Sequence, residues 1–152
     1  MRVGVFICHC GNNIAGTVDV ARVAAEARKM PGVVFATNYM YTCSEPGQNE
    51  IKDTIKQENL DRVVVAACSP RMHELTFRRT VQKAGLNRYF FEMANIREHV
   101  SWIGENKDLN TNKAIEAVKI AVEKVKKNKP LIASSFKINK RVLVIGGGVA
   151  GM

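Results

Sequence analysis

The stretch Cys43-Ser44-Glu45-Pro46-Gly47-Gln48 joins an apolar run to the signals of a helix start. Upstream, Tyr39-Met40-Tyr41-Thr42 reads as the end of a strand. Downstream, Ser44 offers a side-chain oxygen as N-cap, Pro46 suits the first turn, and Ile51 and Ile55 lie on one helical face. The pattern recurs at Val63-Val64-Val65-Ala66-Ala67-Cys68-Ser69-Pro70: strand, cysteine, capping serine, proline. A third case, Val3-Gly4-Val5-Phe6-Ile7-Cys8-His9-Cys10-Gly11, runs a strand into two cysteines and a glycine turn. These segments hold all 4 cysteines of the 152-residue chain. If the strands lie parallel in one sheet, the thiols meet at one edge.

The rest of the chain supplies such a sheet. Residues 2–7 are the first strand, apolar nearly throughout, as when both faces are covered. Thr17 or Asp19 caps a helix carrying Val20, Val23, Ala24 and Ala27 on one face, and Pro31-Gly32 ends it. Residues 33–42 form the second strand and 45–57 the second helix. Residues 62–67 are the third strand, followed by a helix over 70–83 and a fourth strand over 89–94. Asn95-Ile96-Arg97-Glu98 has the form of a capping box, opening a helix with Ile96, Val100 and Ile103. A longer helix, about 111–128, shows Ile115, Val118, Val122 and Val125 on one side. The order predicts an α/β fold: a three-layer domain over residues 1–129 with a parallel, doubly wound four-stranded sheet.

Residues 130–140 break the rhythm and read as a linker. Arg141-Val142-Leu143-Val144-Ile145 then reads as a new strand running into Gly146-Gly147-Gly148-Val149-Ala150-Gly151. G-x-G-x-x-G at a strand end opens a dinucleotide-binding βαβ unit. Residues 141–152 are therefore expected to be the truncated start of a Rossmann-like domain, and the chain part of a longer protein.

Hydrophobic content of 46% and charged content of 24% are globular values. No signal-peptide pattern precedes the first strand, and no run approaches the ~20 apolar residues of a membrane span. We therefore expect a soluble, cytoplasmic protein whose thiols stay reduced, so that four cysteines suggest a metal site before a disulfide framework. The net charge of +9 owes much to Lys124, Lys126, Lys127 and Lys129. No aromatic residues interleave with them as on a stacking platform, so a solvated helix face is expected rather than a nucleic-acid site. No Ser-His-Asp, paired-carboxylate or P-loop arrangement is visible.

Cys8 and Cys10, two apart, point to the same side of an extended segment. Cys43 and Cys68 each precede a helix start, where free N–H groups and the helix dipole favour a thiolate or an anionic centre. Gly11 and Gly47 let the backbone approach a bulky cofactor. Four thiolates suit zinc or an iron–sulfur cluster, and the spacing matches neither a ferredoxin nor a zinc ribbon. Small buried cysteines and a dithiol redox site are the other readings, although Cys8 and Cys10 make an awkward disulfide. His9 would face away from its neighbours and reads as a packing or supporting residue. His73, with Arg71 and Glu74, sits in the first turns after Cys68, either reaching the thiols or lying on the surface. Met72, Met93 and Trp102 read as core.

These segments resemble the N-terminal region of HdrA, the flavin and iron–sulfur subunit of heterodisulfide reductase in methanogens and related anaerobes. The resemblance is carried by Cys8-His9-Cys10-Gly11-Asn12-Asn13-Ile14-Ala15-Gly16, Cys43-Ser44-Glu45-Pro46-Gly47-Gln48 and Ala67-Cys68-Ser69-Pro70-Arg71-Met72-His73-Glu74. It continues through Phe77-Arg78-Arg79, Glu92-Met93-Ala94-Asn95-Ile96-Arg97-Glu98, Ser101-Trp102 and 144–151. The resemblance implies that Cys8, Cys10, Cys43 and Cys68 are ligands of a [4Fe-4S] cluster. It also implies that Gly146, Gly148 and Gly151 begin the pyrophosphate site of an FAD domain in the full-length parent. The implied function is electron relay to or from that FAD in an anaerobic, bifurcating oxidoreductase, with the domain itself not catalytic. Implied partners are the other subunits of the complex, its own FAD and ferredoxin domains, and ferredoxin or hydrogenase-type electron carriers. The alternative is a structural docking module whose cysteines hold zinc or no metal.

Overall fold

Val3–Cys8 (β1) is buried at every position, which a strand achieves only when both its faces are covered. The computed structural model describes residues 1–132 and 134–152; Ala133, within the expected linker, lies outside the described residues. After β1 come α1 (Asn12–Ala15), α2 (Val20–Arg28), β2 (Val33–Tyr39), α3 (Glu45–Gln57), β3 (Arg62–Ala67), α4 (Pro70–Lys83) and β4 (Phe91–Asn95). A π-helical turn, Arg97–Ser101, and a long helix, α5 (Lys107–Lys127), follow.

The strands form one sheet in the order β2-β1-β3-β4, with every pairing parallel. In register, Val5 stands between Ala36 on β2 and Val64 on β3, and Val65 stands beside Met93 on β4. The chain winds outward from β1 to β2, then back past β1 to β3 and β4. Right-handed crossovers therefore put α2 on one face and α3 and α4 on the other. Alternation along the strands feeds both layers. Val5, Ile7, Val64 and Ala66 pack with Val23 of α2 and Val118 and Val122 of α5. Phe6, Val63 and Val65 pack with Ile51 and Ile55 of α3 and Phe77 and Val81 of α4. The three-layer, parallel, doubly wound α/β domain is thus the one its apolar periodicities predict.

Helices α3 and α4 begin where their caps place them. Ser44 Oγ accepts a hydrogen bond from Gly47 N at 3.3 Å, and Ser69 Oγ one from Arg71 N at 3.3 Å. Pro46 and Pro70 occupy the first turns, where a missing N–H costs nothing. Ser44 Oγ also donates to Tyr41 O at 2.7 Å. Ser44→Ala is expected to destabilise the chain by about 1 kcal/mol, read as a lower urea midpoint at unchanged slope; an unchanged midpoint would show the cap to be idle.

Several boundaries differ from the sequence reading. β2 ends at Tyr39 rather than Thr42, because Cys8 pairs with Tyr39 and β1 then turns away. Residues 40–42 make a turn. β4 runs Phe91–Asn95, since a turn holds the residues before it: Asn87 Oδ1 accepts from Tyr89 N and Asn87 O from Phe90 N. Asn95 Oδ1 does accept from Glu98 N at 3.1 Å, but the helix it caps is only the π-helical turn, and Ile103 lies beyond it, exposed. α5 starts at Lys107, capped by Asn106 Oδ1 on Leu109 N, because a polar first turn carries no apolar periodicity. The short α1 was not expected. The strand expected over 141–145 is not formed; Val142, Leu143 and Ile145 are exposed and no strand among the described residues lies beside them. A strand exists through its ladder, so an unpaired segment has none. Among the described residues no helix is long and apolar enough to cross a membrane.

Candidate metal centre

The strand order reverses between β1 and β3, one connection leaving for each face. Open α/β sheets bind ligands in the crevice outside the carboxyl ends at such a point. Cys8 ends β1, Cys10 follows it and Cys68 follows β3, so three of the four cysteines flank that crevice. Cys43 follows β2, the strand next to β1 on the outer edge of the sheet.

Each thiol is positioned by its own junction. Cys8 ends β1 on the face of Phe6, 3% exposed, its Sγ 3.7 Å from Met40 O. Cys10 is not in an extended segment as expected. Its φ of 51° and that of 60° at Gly11 put two successive residues in the left-handed region, and Cys10 N donates to Cys8 Sγ at 3.3 Å. The turn thus folds the chain back directly after β1. A Cβ on Gly11 would lie 2.9 Å from Tyr41 Oη, in the turn leading to Cys43. Cys43 sits between that turn and the Ser44 cap, and its carbonyl accepts from Gln48 Nε2 at 2.9 Å. Cys68, 5% exposed, lies between β3 and the Ser69 cap. All four cysteines are free thiols.

The thiols feel one another. Burial pushes the Cys43 thiol above its ordinary value, with Cys8 and Cys10 adding to the rise and Arg97 opposing it. Burial pushes Cys68 up to about 11, offset in part by Arg97. A buried neutral thiol favours the folded state until the unfolded chain loses its proton first. The metal-free chain should therefore lose stability as pH rises from about 9 toward 11. The thiolate is also the nucleophile. At neutral pH Cys68 should carry on the order of a hundredfold fewer thiolates than an ordinary cysteine. Iodoacetamide labelling read by mass spectrometry should modify it late and accelerate steeply above pH 9; rapid labelling at pH 7 would contradict the burial.

Sequence reading names Arg97 only in the capping-box segment and within the resemblance, and gives it no role. Its Nη1 donates to Cys10 Sγ at 3.1 Å, across 87 residues of chain. Glu98 Oε1 accepts from its Nε and Nη2 at 3.1 and 2.8 Å, Met72 Sδ lies 3.1 Å from Nη2, and the Trp102 ring covers the guanidinium at 4.9 Å. Burial would favour the neutral form, but Glu98 and Cys10 outweigh it and hold the cation firmly charged. Met72 and Trp102 are thus not core, as expected, but exposed walls around this cation; Met93 is buried. The capping box alone placed Arg97 just beyond β4, and only the fold brings it to Cys10.

The other expected residues lie apart. His9 Nε2 is 2.7 Å from Asn38 Oδ1, in keeping with a supporting role. The His73 ring stands edge-on to Phe77. Gly146, Gly148 and Gly151 lie in the exposed tail, where Gly151 N donates to Gly148 O at 2.8 Å. Among the described residues, no three His, Cys, Asp or Glu side chains are placed to hold a metal ion. At the crevice, Thr42 Oγ1 and Glu98 Oε2 are buried without a hydrogen-bond partner.

No protein-family model matches the chain. It is 54% identical over 152 residues to the HdrA component of the H(2):CoB-CoM heterodisulfide,ferredoxin reductase of Methanothermobacter marburgensis, covering 99% of this chain and 23% of that protein. It is 48% identical over 153 residues to an iron-sulfur HdrA component of the CoB--CoM heterodisulfide reductase of Methanopyrus kandleri, covering 100% and 23%. With an HdrA-like protein of Archaeoglobus profundus the identity is 48%, over 99% of this chain and 22% of that one. The chain thus spans less than a quarter of the length of these relatives. Along its whole length, this chain is a homologue of one segment of HdrA of heterodisulfide reductase.

Proposed function

We propose that this chain is the N-terminal electron-transfer domain of an HdrA-like flavoprotein of the heterodisulfide reductase type, with Cys8, Cys10, Cys43 and Cys68 holding a [4Fe-4S] cluster. The reading rests on four free thiols carried by three βα junctions at the carboxyl edge of one parallel sheet, three of them at its switch point, with the Arg97 guanidinium 3.1 Å from Cys10 Sγ. When bound, such a cluster takes up and returns single electrons.

The residues present fit that group. Cys8, Cys10, Cys43 and Cys68 would each supply one thiolate, the donor that suits iron–sulfur clusters and zinc alike. Ser44 and Ser69 cap helices beside Cys43 and Cys68, so that free N–H groups and the positive ends of α3 and α4 face an anionic centre. Cys8 and Cys68 are buried, which keeps water from part of the site. Thr42 Oγ1 has an unused hydroxyl next to Cys43.

On this reading residues 1–129 form the cluster domain, 130–140 a linker, and 141–152 the start of an FAD domain. Gly146, Gly148 and Gly151 then approach the flavin pyrophosphate, and the relay runs to or from that FAD within a cytoplasmic, anaerobic complex. The oxidoreductase activity belongs to the full-length parent. Partners would be the other subunits of the complex and a ferredoxin or hydrogenase-type carrier; the Methanosarcina mazei relative is named as part of a ferredoxin:CoB-CoM heterodisulfide reductase.

Anaerobically prepared chain should carry about four irons and four sulfides and show a brown, broad visible absorption. Stoichiometric zinc in a colourless protein would instead make this a structural docking module. Neither metal after anaerobic reconstitution would end the metal reading altogether.

A further inference from the structure

We propose that Arg97 is the residue that sets the potential of this centre: its N–H to Cys10 Sγ makes the cluster easier to reduce. The inference rests on the cluster reading above and goes beyond it in naming what tunes the site.

An arginine paired with its sequence neighbour Glu98 ordinarily lies on the surface. Here the Arg97 side chain is only 13% exposed, and its groups are divided in a definite way. Glu98 Oε1 takes Nε and Nη2, and Nη1 is left to face Cys10 Sγ at 3.1 Å. The carboxylate grips one edge of the guanidinium and the sulfur meets another, so the pair presents its positive end to the thiol. Trp102 covers the planar face at 4.9 Å and Met72 Sδ approaches Nη2, excluding water that would screen the charge. The main chain is held as well: the π-helical turn begins at Arg97, and Asn95 Oδ1 ties down Glu98 N.

Reduction adds one electron, from a one-electron donor of the flavin or iron–sulfur class. No bond forms or breaks, and Arg97 keeps its proton throughout, as arginine does in proteins. The centre becomes one unit more negative while the cation beside Cys10 stays fixed. A charge-assisted N–H to a ligating sulfur stabilises the more negative form more strongly, and more so where water is excluded. On reoxidation the electron leaves to an acceptor of the same class.

The test is an anaerobic potentiometric titration, followed by electron paramagnetic resonance, of the whole chain as wild type, Arg97→Gln, Arg97→Lys and Glu98→Gln, each assayed for iron and sulfide. Arg97→Gln at full cluster content should be about tenfold harder to reduce, a midpoint lower by about 59 mV for a one-electron couple. Arg97→Lys should recover part of the loss, because it keeps the charge without the rigid fork. Glu98→Gln should shift the midpoint upward, since it removes the carboxylate that offsets Arg97. That opposite sign is one a merely structural residue would not produce. An Arg97→Gln midpoint equal to wild type at full occupancy overturns the proposal and leaves the cluster reading intact. If Arg97→Gln loses its iron, Glu98→Gln decides, and an unchanged or lower midpoint overturns the proposal. Wild type without iron and sulfide overturns both.

Discussion

A Cys43→Ala, Cys68→Ala double variant should fold and hold neither iron nor sulfide, falling from about four of each per chain to none. The two thiols come from different junctions, after β2 and after β3. Their removal leaves only Cys8 and Cys10, which are adjacent on one turn and donate from one side of the crevice. Two neighbouring thiolates cannot close a site that needs four. The substitutions themselves are mild. Each removes one sulfur at the edge of the layer that holds Phe77 and Phe91, costing about 1 kcal/mol. A cooperative circular-dichroism melt lowered by roughly 4–8 °C, beside an empty metal analysis, is the expected pair of results. Iron and sulfide retained at wild-type level would remove these two cysteines from the ligand set.

Gly47→Ala should destabilise the chain by roughly 2 kcal/mol, against the direction that helix propensity predicts. In a helix interior, alanine is favoured over glycine by about 1 kcal/mol. At this position a Cβ would lie 2.4 Å from Tyr41 O and 2.8 Å from Thr42 Cα and Thr42 O. Those are backbone atoms and cannot swing aside as a side-chain end would. Tyr41 O is also held by Ser44 N and Ser44 Oγ, so the 40–43 turn has to shift as a unit. Overpacking of that kind costs up to about 3 kcal/mol, which outweighs the propensity gain and lowers the melting temperature by roughly 4–8 °C. Because the same turn carries Cys43, the cluster content of the variant should fall too. Gly147→Ala, with nothing within 4 Å of a new Cβ, is the control and should melt with wild type. A Gly47→Ala chain at least as stable as wild type would show that the turn can move freely.

These two cases also show where local sequence is decisive and where it is not. Helices α3 and α4 begin and end at the residues read from the chain, because Ser44, Pro46, Ser69 and Pro70 act over a single turn. β3 is recovered whole, since an all-apolar run bounded by turn residues has one economical place, inside a covered sheet. The start of α5 escapes the sequence reading because Asn106 caps a first turn with no apolar face. The strand expected over 141–145 fails for the opposite reason: its residues suit a strand, but pairing belongs to two segments and no partner is present among the described residues. Cys10 departs from the extended geometry expected of it, since a two-residue alternation cannot anticipate successive left-handed residues.

What the sequence by itself determined is the architecture and the candidate ligands. Periodic apolar residues, caps and prolines act within a few positions, and three repeats of strand followed by cysteine put every thiol at the same end of its strand. What only the tertiary structure decided is how that edge is furnished. The strand order sets Cys8, Cys10 and Cys68 at the switch point, Thr42 and Gly47 are pressed against one another's backbone, and Arg97 reaches Cys10. Most of these relations join segments tens of residues apart, and their energies come from contact, burial and charge that exist only once the sheet has assembled.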